Sequence, residues 1–138
     1  MSEAAAVAHA EALFDSGAFF RTLADRVACR TESQNAERAA ELAAYLSGQI
    51  APALAALGFT AQIHPNPVPG APPFLIAERL EDPALPTVLF YGHGDVVNGQ
   101  DAQWREGLSP WELTIEGERW YGRGTADNKG QHTVSLAA

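Results

Sequence analysis

The chain has 138 residues, 46% of them hydrophobic, which suits one globular domain with a single core and is too short for two. Nine basic residues against seventeen acidic ones leave a formal charge of −8. A surface of that sign disfavours nucleic acid and anionic membranes as partners.

The single cysteine, Cys29, has no partner for an internal disulfide, so a reducing compartment is expected. It lies in a helical stretch without a nearby histidine and reads as a buried or half-buried structural thiol. No apolar run reaches the roughly 20 residues that a membrane helix needs. The Ala-rich N-terminus carries Glu3, His9 and Glu11 and no basic n-region, unlike a signal peptide. The expectation is a cytoplasmic protein.

In chain order, Ala4 to Cys29 has helical spacing through Leu13, Phe14, Phe20, Leu23 and Val27, with Gly17 placed to break it in two. Asn35 to Leu57 predicts a second helix, its apolar face built from Ala39, Leu42, Leu46, Ile50, Leu54 and Leu57. Gly58 suits its C-terminal end, and Gly48 and Pro52 predict a kink or restart near Ala51. Phe59 to His64 and Phe74 to Leu80 read as strands around a connection rich in Pro and Gly. Thr87 to Tyr91 is the clearest strand expectation, a continuous apolar run suited to a sheet covered on both faces. Trp111 to Ile115 and Arg119 to Tyr121 flank Glu116-Gly117-Glu118 as a hairpin, and a last helix starts near Asn128. Helices, then strands, then a strand–loop–helix unit predict an α/β layered sandwich. The final residues carry no helix stop signal, so the chain reads as cut inside a helix.

The chemistry concentrates in Gly92-His93-Gly94-Asp95 and in Gly122-Arg123-Gly124-Thr125-Ala126-Asp127-Asn128-Lys129-Gly130. His93 and Asp95 are two apart at a strand end, so their side chains share one side if extended geometry persists. A metal-bound imidazole usually gives its other N–H to a carboxylate, which fixes the tautomer. Taken alone, the pair better fits a strand-end histidine bonded to a neighbouring acid. Asp127 adds a carboxylate in a Gly-rich turn before a helix. It fits a helix N-cap. It also fits a bridge between two cations, which in paired metal sites lie roughly 3.5–4 Å apart.

With Tyr91-Gly92-His93-Gly94-Asp95-Val96-Val97, Trp104, Ser109-Pro110-Trp111, Gly117, Trp120-Tyr121-Gly122-Arg123-Gly124 and Asp127-Asn128-Lys129-Gly130 in this order, the chain resembles the N-terminal part of a zinc metallopeptidase family. That family includes aminoacylase, carboxypeptidase G, succinyl-diaminopimelate desuccinylase, acetylornithine deacetylase and the carnosinase-type dipeptidases. The resemblance covers Thr87 to Ala138. It implies a mixed sheet with flanking helices, and a single catalytic domain of which residues 1–138 are the N-terminal portion, without the lid domain. His93 matches a zinc ligand, Asp95 the acid that orients it, and Asp127 the carboxylate that bridges two Zn²⁺ ions, often followed by a cis peptide bond. Cobalt or manganese are alternative metals. A Glu-Glu pair carrying the general base, a further acidic ligand and a distant histidine are expected after Ala138.

The implied reaction is hydrolysis of a peptide or N-acyl amide bond by a zinc-activated bridging water, with a small peptide or N-acyl amino acid as substrate. The subtype is open between dipeptidase, carboxypeptidase and deacylase, and a homo-oligomer is allowed. On its own the chain is expected to be inactive. The alternative is a non-catalytic binding or assembly module that keeps the fold. Trp104, Trp111 and Arg123 read as loop-packing residues, Lys129 as a surface or supporting residue at a helix start. His132, counted five positions from Asp127, reads as off the spacing for a ligand.

Overall fold

The computed structural model describes residues 2–138. Helix α1, Glu3–Asp15, is capped by Ser2, whose Oγ accepts the Ala5 N–H at 3.4 Å. Gly17 breaks the helical run as expected, at φ 71°, and α2 follows over Ala18–Ala28. The second helical stretch is more broken than its apolar spacing predicts. A 3₁₀ turn, Ala36–Arg38, leads into α3, Ala39–Tyr45; a π-helical turn, Leu46–Ile50, leads into α4, Ala51–Ala56. Pro52 explains the π turn: it has no N–H to give to the preceding turn, and the ladder widens so that the Ala51 N–H reaches Leu46 O.

Strands β1, Thr60–His64, and β2, Phe74–Glu78, form an antiparallel hairpin registered from Thr60 opposite Glu78 to His64 opposite Phe74. Strands β3, Thr114–Glu116, and β4, Arg119–Tyr121, form the second hairpin across Gly117. Helix α5 covers Lys129–Ala137. The architecture is mixed α/β, with its named strands in two small antiparallel sheets.

The strand expected over Thr87–Tyr91 is the main departure. The segment is irregular, and Leu89 and Tyr91 are 94% and 84% exposed. A strand covered on both faces needs neighbours to take its N–H and C=O groups, and hydrophobicity alone supplies none. Among the described residues no ladder partner stands beside it.

The core lies where α2 meets the second hairpin. Leu23, Val27 and Leu113 are buried there, with Phe19, Phe20, Ala24 and Trp120 packed on them. Trp120 gathers Phe14, Phe19 and Phe20 at centroid distances of 5.8, 5.9 and 5.6 Å, tying α1 and α2 to β4. Helix α5 packs along α2 and carries the second sequence motif onto this frame. Among the described residues no helix is long and apolar enough to cross a membrane.

Candidate metal centre

Although no strand leads into it, the loop at His93 is firmly held. Thr31 and Ser33, just after α2, grip it in a short parallel bridge: Val96 N–H donates to Thr31 O at 2.8 Å and Ser33 N–H to Val96 O at 3.1 Å. The Thr31 hydroxyl donates to Gly94 O at 2.5 Å. Gly94 has to lack a side chain, because a Cβ there would enter the ring of Tyr45, which is 1% exposed. The second loop is anchored by Arg123 N–H to Pro110 O at 2.7 Å and by Gly130 N–H to Gly124 O at 3.1 Å.

These anchors bring together the three residues singled out in the sequence. His93 Nδ1 lies 3.1 Å from Asp95 Oδ1 and 3.2 Å from the Asp95 carbonyl. Both are acceptors, so Nδ1 carries a proton, and a ring in that tautomer has its lone pair on Nε2. That nitrogen faces Asp127 Oδ1 at 3.0 Å. The Asp127 side chain is 82% exposed, while those of His93 and Asp95 are 34% and 41% exposed. The cap position of α5 belongs to Asn128, so Asp127 is not the N-cap, and the Asp127–Asn128 peptide bond is cis.

A nitrogen lone pair and a carboxylate oxygen at this separation attract a cation between them. Two donors of one tetrahedral zinc, each at about 2.0–2.1 Å, stand roughly 3.3 Å apart. The observed 3.0 Å is close to such an edge. The donor chemistry and the orienting carboxylate therefore fit part of a metal centre. They do not make a whole one: among the described residues no group of three His, Cys, Asp or Glu side chains could hold an ion.

Several supporting residues were not legible in the sequence. Lys129, read as a surface or supporting residue, is fully buried. Its Nζ donates to Arg26 O at 2.9 Å and Cys29 O at 2.6 Å, so a cation closes the C-terminal end of α2. Burial pushes its pKa down to about 8. His132 stands behind the pair. Its Nε2 lies 2.6 Å from Tyr45 Oη and its Nδ1 3.2 Å from Asn128 Oδ1. Burial, with Arg26 and Lys129 adding to it, pushes His132 down to about 4, and burial pushes the Tyr45 phenol up. Around the loops, Trp104 Nε1 and Arg123 Nη2 both donate to Gly99 O, at 2.9 and 3.0 Å, and Trp111 Nε1 to Asp101 Oδ2 at 3.1 Å. These three hold loop structure, as their sequence context suggests.

His93 thus stands between two carboxylates, Asp95 at Nδ1 and Asp127 at Nε2, on an α/β frame. Residues 89–138 match the model of Peptidase family M20/M25/M40. Curated relatives include a Beta-Ala-His dipeptidase of Mus musculus, 51% identical over 61 residues, or 43% of this chain and 12% of that protein. A Cysteinylglycine-S-conjugate dipeptidase of Corynebacterium striatum is 48% identical over 54 residues, or 38% of this chain and 11% of that protein. Among solved structures, human carnosine dipeptidase 1 is similar with a TM-score of 0.83 at 29% identity, covering 95% of this chain and 29% of that one. The di-peptidase Dug1p of Saccharomyces cerevisiae shares the fold, with a TM-score of 0.80 at 24% identity over 96% of this chain and 29% of that one. The chain thus spans under a third of the structures it matches.

Proposed function

We propose that this chain supplies one part of the metal centre of a metal-dependent hydrolase that cleaves small peptides. The observation that carries the reading is the placement of His93 Nε2 against Asp127 Oδ1, with Nδ1 turned to Asp95. In this reading His93 is a ligand, Asp127 a ligand able to bridge two ions through its two oxygens, and Asp95 the group that holds the tautomer. Two Zn²⁺ ions fit the donor types, with cobalt or manganese as alternatives, and bound zinc supplies Lewis acidity and an acidified water. This chain's own residues hold and orient. The remaining donors and the proton-transferring group lie, in this reading, outside residues 1–138 of the catalytic domain. The curated relatives named above are dipeptidases, which favours a dipeptide over an N-acyl amino acid as substrate. A cytoplasmic location belongs to the same proposal.

Two donors are fewer than the roughly three protein ligands of a catalytic zinc. The 138-residue chain alone is therefore expected to bind zinc weakly and to turn over no dipeptide. Calorimetric titration with Zn²⁺, beside a dipeptide-hydrolysis assay of the chain and of the protein from the complete reading frame, tests this. The expected outcome is turnover only in the latter, lost on His93→Ala. Ordinary enzymatic turnover by the chain alone, or full activity in His93→Ala, overturns it.

A further inference from the structure

Behind the donor pair, four side chains join into one hydrogen-bonded relay. Asn128 Oδ1 accepts the His93 backbone N–H at 3.0 Å. A backbone N–H only donates, so the amide atom facing it is the oxygen, and the orientation of Asn128 is settled. The same oxygen lies 3.2 Å from His132 Nδ1, which must therefore carry the ring proton. His132 Nε2 is left with its lone pair and accepts the Tyr45 hydroxyl at 2.6 Å. The other end of Asn128 donates from Nδ2 to Gln131 Oε1. Each donor has an acceptor, and one tautomer of His132 satisfies both of its bonds. The contact is also close-packed. A Cβ on Gly92 would stand 3.0 Å from His132 Cβ and 3.2 Å from Asn128 Oδ1.

The order of residues gives this relay its significance. Asn128 directly follows Asp127, so one dipeptide carries one donor and grips the backbone of the other. If the Asn128 side chain turns, the His93 main chain loses its tie, and the separation of Nε2 from Asp127 Oδ1 is no longer fixed.

We infer that His132, held by Tyr45, is a positioning residue: it locks Asn128 onto the His93 backbone and so sets the spacing of the His93–Asp127 donor pair. The effect on metal binding rests on the metal-centre reading above; the effect on the His93 backbone does not.

Two substitutions separate the two bonds of the ring. His132→Asn keeps an N–H donor near the position of Nδ1 and gives up the bond to Tyr45. His132→Gln reaches toward Tyr45 and gives up the donor to Asn128. In the metal-free protein, hydrogen exchange of the His93 amide reports the backbone tie directly. Its protection is expected to fall about tenfold or more in His132→Gln and to stay near the original in His132→Asn. Zinc affinity, read by competition with a chromophoric chelator, is expected to follow, falling about 10–100-fold in His132→Gln only. Thermal midpoints of both variants report packing. Unchanged His93 exchange in His132→Gln overturns the inference. So does an equal loss in both variants that tracks a common fall in thermal midpoint, because that marks a packing role. If the protein binds no zinc but His93 protection falls in His132→Gln alone, the metal reading fails and the positioning role stands.

Discussion

Asp95 Oδ1 stands 3.1 Å from Nδ1 of His93, the bond that in the proposed metal centre turns Nε2 toward the ion. Asp95→Ala leaves only the Asp95 carbonyl, at 3.2 Å, to hold that proton. Zinc affinity is expected to fall about 10–100-fold, measured by chelator competition, and an unchanged affinity would mean that the backbone acceptor suffices. Cys29 gives a second residue-level test. Burial raises its thiol pKa, Lys129 opposes this and Asp25 adds to it. A raised pKa means less thiolate at pH 8, so alkylation by iodoacetamide is expected to run several-fold slower than in an unstructured peptide. An equal rate would remove the assigned burial effect. His93, Asp95 and Asp127 were legible because short-range spacing and Gly-rich turns carry their roles. Asn128, His132 and Tyr45 were not. Spacing from Asp127 does not single out His132, because its partner is Asn128, four residues earlier, with Nδ1 at 3.2 Å. Tyr45 is 87 positions away in sequence, and no local pattern announces such a pair.

Helix α5 is the element that joins site to core. Lys129 gives its ammonium to two carbonyls at the end of α2, and Thr133 Oγ1 accepts from Arg26 Nη1 at 2.6 Å. Lys129→Met keeps much of the volume and leaves both carbonyls without that donor. A loss of about 1–3 kcal/mol is expected in urea denaturation, net of the relief from removing a buried charge. No loss would mean that water replaces the ammonium. Gly130, one residue on, approaches the Thr125 carbonyl so closely that a Cβ would collide with it. The sequence showed the helix start but not this burial, since a lysine beside an Asn-Gly pattern reads equally as solvated. The reverse failure occurs at Thr87–Tyr91. Its composition is that of a central strand, yet strand formation depends on partners that no local pattern can supply. The π turn at Leu46–Ile50 lies between these cases: Pro52 announced an interruption, but whether the helix kinks, restarts or widens depends on packing.

For the whole molecule, the exposed run Val88, Leu89, Phe90 and Tyr91 stands at 69%, 94%, 72% and 84% exposure. Unpaired backbone beside such an apolar run favours edge-to-edge pairing. The 138-residue chain is expected to associate with rising concentration in a light-scattering dilution series, less so with Leu89→Lys. A strictly monomeric chain at every concentration would contradict this. The proposed donor pair of His93 and Asp127 is tested by ¹⁵N-imidazole NMR during zinc titration. The Nε2 resonance of His93 is expected to move on zinc addition while Nδ1 stays protonated, and Asp127→Ala is expected to reduce the change. Zinc binding at Nδ1 of His93, or a response confined to His9, His64 or His132, would contradict it.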